Sequence, residues 1–136
     1  MLKVETTANA VFQTAYHLLW IPKYRRRVLV GAVAEHLRQV LAQIADQNRW
    51  RVLAMEIQPD HLHLFLIPPT VAIAEAVRRL KGASARCLRS VYPQLRRVCG
   101  GGHLWAPSYY VESAGNVSAQ PIRRYIERAA HVSSRP

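Results

Sequence analysis

Residues 60–67 constrain the fold of this chain more than any other segment. They read Asp-His-Leu-His-Leu-Phe-Leu-Ile, so leucines recur at every second position. A period of two is typical of a β-strand with one buried face. The buried face would carry Leu62, Leu64 and Leu66. His61 and His63 would share the other face, about 7 Å apart. There they could converge on one divalent cation, or remain as hydrogen-bonded or solvent-facing histidines.

The balance of charge indicates an anionic partner. The chain has 19 Lys and Arg residues against 8 Asp and Glu residues, and its formal net charge is +11. Most of the basic residues are arginines, whose planar guanidinium matches phosphate oxygens and stacks on bases. Nucleic acid is therefore the first candidate partner. A coding bias towards Arg would explain the ratio of Arg to Lys, but not the excess of bases over acids.

The length and hydropathy of the chain predict one domain, residues 1–136. Half of the 136 residues are hydrophobic, which is enough for a core. No apolar stretch approaches the ~20 residues that span a bilayer. The polar N-terminus does not resemble a signal peptide. We therefore expect a cytoplasmic protein without a membrane segment.

The periodicity of the sequence predicts seven elements in a recognisable order. They are strand 11–21, helix 32–48, strand 50–57, strand 60–67, helix 71–91, strand 105–112 and helix 119–131. The first six follow the β-α-β-β-α-β order of the ferredoxin-like plan, which RRM-type RNA-binding domains also use. We therefore predict an α+β, ferredoxin-like fold with one antiparallel sheet and an additional C-terminal helix.

Two groups of basic residues are candidates for phosphate contact. The predicted helix 71–91 is amphipathic, and Glu75 accompanies four arginines on its polar face. The arginines are Arg78, Arg79, Arg86 and Arg89. A second group follows the first strand, in a loop that contains Lys23, Arg25, Arg26 and Arg27. An ordinary solvated surface is the alternative, but the one-sided charge favours phosphate contact.

Tyr125 on the predicted C-terminal helix has two possible roles. It shares an arc with Ile122 and Ile126, which is typical of a packing residue. It could instead be a nucleophile, although a neutral phenol with a pKa near 10 attacks phosphate poorly. A cation bound by two histidines would polarise the phosphoryl oxygens, and nearby arginines would favour the phenolate. The products would be a phosphotyrosine ester and a free hydroxyl.

Five motifs together resemble the IS200/IS605-family single-tyrosine transposases of the HUH (His-hydrophobic-His) endonuclease superfamily. They are Tyr16-His-Leu-Leu-Trp-Ile-Pro-Lys-Tyr-Arg-Arg26, Asp60-His-Leu-His-Leu64, Leu80-Lys-Gly-Ala-Ser-Ala-Arg86, Leu104-Trp-Ala-Pro-Ser-Tyr109-Tyr and Tyr125-Ile-Glu127. Each motif is weak alone. Their common order and spacing, from about Tyr16 to Glu127, make the resemblance specific.

The resemblance implies a mechanism and an assembly. His61 and His63 would bind Mg²⁺ or Mn²⁺ at a scissile phosphate of single-stranded DNA, and Tyr125 would attack that phosphate. The products would be a 5′-phosphotyrosine link and a 3′-OH, at insertion-sequence ends marked by hairpins. Family members act as homodimers in which the tyrosine helix of one subunit completes the histidine site of the other. Residues 112–118 would then be the hinge that carries this helix.

The chain departs from the family pattern at Ala129. The family usually has Gln at this position, one turn after the tyrosine, as a further metal ligand, and alanine cannot ligate. Water, or another residue such as Glu56 or Gln58, could take that place, or the level of activity could be reduced. The alternative function is therefore a noncatalytic, domesticated or decayed module of the same fold that binds single-stranded nucleic acid. A ferredoxin-like metal sensor is a further alternative, against which the arginines and Tyr125 argue.

Overall fold

The structure of the chain is a computed structural model that describes residues 5–6, 11–12, 15–68, 71–99 and 102–113. Its strands are β1 (Glu5–Thr6), β2 (Val11–Phe12), β3 (Tyr16–Trp20), β4 (Arg51–Gln58), β5 (His61–Ile67) and β6 (Tyr110–Ser113). Its helices are α1 (Gly31–Gln47), α2 (Ile73–Val91) and the short α3 (Gln94–Cys99). A 3-10 turn, Lys23–Arg25, follows β3.

The main sheet has four antiparallel strands in the order β4-β5-β3-β6. Strand β3, the first of the four along the chain, lies between the third and the fourth, as the ferredoxin-like plan requires. The predicted fold class is confirmed. Strands β1 and β2 form a separate two-stranded ribbon. The predicted C-terminal helix 119–131 lies outside the described residues.

Helices α1 and α2 cover one face of this sheet. The leucines of β5 point towards them, and Leu18 and Trp20 of β3 lie on the same face, as does the apolar stripe of each helix. Leu18, Trp20 and Leu64 are fully buried. Burial of each such side chain contributes about 1.5–3 kcal/mol, and it holds the strands in register because a slip of one residue would expose all of them.

Side-chain hydrogen bonds attach α2 to the segment that precedes β6. The buried Ser84 hydroxyl donates to the carbonyl of Leu80 (2.6 Å) and accepts from the indole N–H of Trp105 (3.1 Å). The Lys81 ammonium donates to the carbonyls of Ala106 (2.8 Å) and Ser108 (3.2 Å). Burial lowers the pKa of Lys81 to about 8. These contacts fix the entry of the chain into β6.

Three elements differ from the sequence prediction. The first long strand begins at Tyr16, and Val11–Phe12 pairs separately with β1. The last strand begins at Tyr110 and not at residue 105, because Pro107 cannot donate to a strand ladder and Trp105 makes an isolated bridge with Pro22. Helix α3 was not predicted. None of the described helices is long and apolar enough to cross a membrane.

The core position of Leu64 gives a stability prediction. Replacing Leu64 by Ala should lower the free energy of unfolding by about 2–5 kcal/mol, because it leaves a cavity between the sheet and both helices. Urea denaturation measures the change. Leu53→Ala is the matched control, since Leu53 is 41% exposed and its truncation should change stability by less than about 0.5 kcal/mol. Equal losses in the two variants would contradict this view of the core.

Candidate functional site

The face of the sheet opposite α1 and α2 carries the two predicted histidines. Strand alternation places His61 and His63 opposite the buried leucines of β5, as the sequence predicted. Their ring centroids are 5.0 Å apart and the rings are nearly perpendicular, at 84°. Across the strands, His63 is paired with Glu56 on one side and with Leu19 on the other. The two imidazoles therefore lie close together on an inner strand, at the end nearest the β4–β5 turn.

Asp60 holds the first of these histidines. Asp60 ends the two-residue turn between β4 and β5, and one carboxylate oxygen lies 2.8 Å from Nδ1 of His61. The second oxygen accepts a 2.7 Å hydrogen bond from Nε of Arg25. Burial alone would raise the pKa of Asp60, but the hydrogen bonds from His61 and Arg25 and the charge of Arg25 keep it below its usual value. The ionised carboxylate accepts hydrogen bonds only, so Nδ1 of His61 carries a hydrogen, and in the neutral ring the lone pair then lies on Nε2.

The second histidine has a buried partner, His17 of β3. Nε2 of His17 lies 2.9 Å from Nδ1 of His63. His17 is only 1% exposed, and burial lowers its pKa despite the opposing charge of Glu112. Burial, followed by the charges of His61 and His17, also lowers the pKa of His63, to about 4, although Glu56 acts in the opposite direction. Both rings of this pair are therefore neutral near pH 7.

His61 and His63 supply two of the ligands that a divalent cation needs. Both histidines use Nδ1 for a protein partner, so the nitrogen left to a metal is Nε2 in each case, which is the usual arrangement of metal-bound histidine. Among the described residues, no group of three or more His, Cys, Asp or Glu is arranged to hold a metal. Glu56 and Gln58 lie opposite His63 and His61 on β4, but the Gln58 amide donates to Glu56 at 2.9 Å. Two imidazoles are thus the ligands that the described residues offer.

The predicted basic loop lies beside this site. The backbone N–H of Leu29 donates to the carbonyl of Pro59, and the backbone N–H of Lys23 donates to the carbonyl of Leu104, which anchors the loop at both sides. Tyr24 and Arg25 have φ angles of 62° and 53°, in the left-handed region that non-glycine residues rarely adopt. This conformation allows Arg25 to reach Asp60. The side chains of Arg26 and Arg27 are exposed, and that of Lys23 is half-buried.

The structure divides the arginines of α2 into two pairs. Arg78 forms a two-pronged ion pair with Glu75, and Arg79 bonds the side-chain oxygen of Asn48 at 2.6 Å. Nearer the other end of the helix, Arg89 donates to the carbonyl of Gly102 at 2.6 Å. Arg86 is exposed and has no hydrogen-bond or ion-pair partner within the part of the chain that the structure describes. Arg86 is therefore the α2 arginine that is most available to a ligand.

The partners of the two histidines were not predicted from the sequence. Asp60 directly precedes His61, and a carboxylate in the turn before a histidine strand was a usable signal. His17 also carried a signal, since it alternates with Tyr16 and Leu18 on a strand. The register between β3 and β5, which sequence patterns do not give, decides that His17 meets His63. Tyr125 and Ala129 lie outside the described residues, and their predicted roles stay predictions.

Comparison with known proteins agrees with this fold. Residues 10–129 match the family model described as "Transposase IS200 like". The chain is 45% identical over 127 residues to the ISDra2 transposase TnpA of Deinococcus radiodurans, covering 93% of this chain and 91% of that protein. It is 28% identical over 124 residues to the transposase for insertion sequence element IS200 of Salmonella typhimurium, covering 90% and 81% of the two chains.

Two solved structures share the fold. A crystal structure of a Deinococcus radiodurans protein assigned as a transposase superposes with a TM-score of 0.81 at 41% identity, covering 92% of this chain and 97% of the other. A REP-associated tyrosine transposase bound to a REP hairpin gives a TM-score of 0.55 at 15% identity, over 90% and 68% of the two chains. The second likeness concerns the fold alone.

A ferredoxin-like sheet with a His-x-His pair on the face opposite its helices, together with these matches, defines the class of the protein as a DNA transposase. The chain belongs to the IS200-like transposase family. The resemblance inferred from the five sequence motifs is confirmed.

The lowered pKa of His63 predicts how stability depends on pH. Unfolded His63 takes up a proton near pH 6.5, whereas folded His63 does so only near pH 4. Between these values the unfolded state binds more protons, so the free energy of unfolding of the metal-free protein should decrease as the pH falls from about 6.5 to 4. Urea denaturation at several pH values measures this loss. His63→Asn should reduce it, and His103→Asn, at an exposed histidine, should not. An unchanged loss in His63→Asn would contradict the assignment.

Proposed function

We propose that this transposase cleaves and rejoins single-stranded DNA at hairpin-marked ends of an insertion sequence, through a 5′-phosphotyrosine intermediate. One observation carries the proposal: His61 and His63 lie on one face of β5, and both use Nδ1 for protein partners, so Nε2 is the nitrogen that each ring can offer to a cation. That arrangement suits a Mg²⁺ or Mn²⁺ ion held by two imidazoles, with water in the remaining positions. The family membership of the chain supports the same chemistry.

The chemical step would need few protein groups. When bound, the cation would polarise the phosphoryl oxygens of the scissile phosphate. The phenol of Tyr125 loses its proton, its oxygen bonds to phosphorus, and the bond to the leaving 3′ oxygen breaks. That oxygen takes up a proton and becomes the 3′-OH. The phosphodiester is exchanged and not hydrolysed, so reversal of the step rejoins DNA without a nucleotide cofactor.

The positions of the basic residues support a path for the DNA strand next to the histidines. The loop with Lys23, Arg26 and Arg27 is attached to the β4–β5 turn, directly beside His61. Arg25 belongs to this loop, but its Nε is used by Asp60. Phosphates that neutralise these side chains release counterions, so binding would weaken steeply with salt. The hairpin partner is proposed from the family, and a fold relative is described as bound to a REP hairpin.

We expect a covalent adduct to test the function directly. The parent chain, incubated with Mg²⁺ and a hairpin-bearing single strand that carries an insertion-sequence end, should form a DNA-linked species on a denaturing gel. Tyr125→Phe removes one oxygen, so it should bind the strand but form no adduct. His61→Ala and His63→Ala should also lose the adduct and retain most hairpin binding. An adduct formed by Tyr125→Phe would reject Tyr125 as the nucleophile.

Mixing two inactive variants tests whether the site is shared in a homodimer. If the tyrosine of one subunit serves the histidines of the other, Tyr125→Phe mixed with the double variant His61→Ala/His63→Ala should regain one working site after subunit exchange. Each variant alone should stay inactive. Recovery of adduct supports sharing, and no recovery despite proven exchange argues for a site within one subunit.

The contribution of α2 to DNA binding is tested by a matched pair of arginines. Arg86→Ala should weaken binding of the hairpin strand and lower the slope of log affinity against log salt by about 0.7–1, the value for one phosphate contact. Arg78→Ala should have a smaller effect, because Glu75 already neutralises Arg78. Affinities at several salt concentrations measure both. An unchanged slope in Arg86→Ala would remove this residue from the interface.

Ala129 favours one alternative, a noncatalytic DNA-binding module. Such a module would bind the hairpin strand with the same dependence on salt and form no adduct. Restoring Gln at position 129 separates the two functions. If the parent chain forms little adduct and Ala129→Gln forms more, the missing ligand limits a competent enzyme. No adduct in either chain would favour the module.

A further inference from the structure

His17 is a buried polar residue that the transposition chemistry described above does not use. Its side chain is 1% exposed, and Nε2 lies 2.9 Å from Nδ1 of His63. Its other nitrogen, Nδ1, is buried and has no hydrogen-bond partner among the described residues. A buried imidazole with one partner and one unpaired nitrogen costs free energy, so its single hydrogen bond needs a reason.

The ring of His17 is fixed in place by aromatic neighbours. Phe65 stacks on it with a centroid distance of 4.4 Å and an interplanar angle of 6°, and Tyr110 meets it edge-on at 6.2 Å. The His17 and His63 rings are inclined by only 13°, with centroids 5.2 Å apart. This geometry suits an in-plane hydrogen bond between the two nitrogens. Neither ring can rotate freely to exchange partners.

A hydrogen bond between two neutral imidazoles can be made in two ways, and they differ at His63. If His17 donates through Nε2–H, then Nδ1 of His63 accepts and Nε2 of His63 carries a hydrogen, so it cannot bind a metal. If His63 donates through Nδ1–H, then Nε2 of His63 has its lone pair free. The hydrogen bond at one ring nitrogen therefore decides what the other can do.

We infer that His17 is a positioning residue that accepts the Nδ1 hydrogen of His63 and so leaves Nε2 of His63 ready for a divalent cation. This inference rests on the proposed metal site. His61 and His63 then have the same tautomer, with the hydrogen on Nδ1, because the Asp60 carboxylate fixes this tautomer in His61. One site thus uses two kinds of acceptor, a carboxylate for His61 and a neutral imidazole for His63.

The charge around His17 favours the same direction of hydrogen bonding. As an acceptor at Nε2, neutral His17 carries its hydrogen at Nδ1, and the positive end of the ring dipole points away from His63. Strand β3 lies between β5 and β6, and Glu112 of β6 is the cross-strand partner of His17. The carboxylate is thus on the opposite side of His17 from His63. It stabilises a dipole whose positive end faces away from His63.

Two substitutions distinguish the role of His17 as a hydrogen-bond acceptor from the role of its aromatic ring in packing. His17→Phe keeps a flat ring on Phe65 but removes the acceptor. His17→Gln loses the ring but places an amide oxygen near the position of Nε2. The affinity for Mn²⁺ alone, followed by electron paramagnetic resonance, should fall about 10–100-fold in His17→Phe and stay close to that of the parent chain in His17→Gln. A melting curve and hairpin binding by each variant check that it is folded.

The location of the hydrogens can be measured without metal or DNA. Long-range ¹H–¹⁵N correlation spectra of the metal-free protein distinguish Nδ1–H from Nε2–H in each histidine. We expect Nδ1–H in His63, His17 and His61. Nε2–H in His63 would overturn the inference, as would full Mn²⁺ affinity in His17→Phe or a loss in His17→Gln as large as that in His17→Phe.

The outcomes separate this inference from the proposed function. If His17→Phe does not fold, the Mn²⁺ affinity of His17→Gln and the spectra of the parent chain still test the positioning role of His17. If the parent chain shows the expected tautomers and binds Mn²⁺ but forms no DNA adduct, the proposed function fails and the positioning role stands. If the parent chain forms the adduct but His63 carries Nε2–H, the positioning role fails and the proposed function stands.

Discussion

The buried carboxylate of Asp60 is the contact on which the site depends. Asp60 lies in the β4–β5 turn and connects it to two other parts of the chain. One oxygen binds Arg25 of the basic loop, and the other binds His61 of the histidine strand. A buried carboxylate is stable only when its oxygens accept hydrogen bonds, and here one cation and one imidazole supply them. The left-handed backbone at Tyr24 and Arg25 is a cost of about 1 kcal/mol or more per residue, which this contact offsets.

Alternate side chains of strand β5 have different roles, because they lie on opposite faces of the sheet. Its leucines belong to the core with α1 and α2, and its histidines lie on the opposite face with their partners from β3 and the turn. The core therefore fixes the register that brings His63 opposite Leu19 and near His17. Substitutions on the leucine face act through folding. Substitutions on the histidine face also change the orientation of the His61 and His63 rings.

Sequence patterns predicted those features whose information is local. The period of two gave β5 and the shared face of His61 and His63, and the period of 3.6 gave α1 and α2 to within about two residues. The partnership of His17 and His63 could not be read in this way, since 46 positions separate them and only the β3–β5 register unites them. Helix α3, with six residues, is too short to show a period. The strand predicted to begin at residue 105 begins only at Tyr110, because Pro107 cannot donate to a strand ladder and Trp105 makes an isolated bridge with Pro22.

The two-residue turn Pro59–Asp60 also has a consequence for the order of folding. It brings His61 opposite Gln58 and His63 opposite Glu56, pairs that are three and seven positions apart along the chain. Contacts this local close early, on the order of 1–10 μs for a hairpin, before distant strands are recruited. We therefore expect the histidine pair to form in the fastest part of the sheet. Docking of β3 and of the loop after it would then add His17 and Arg25, so the outer supports of the site would be assembled after its centre.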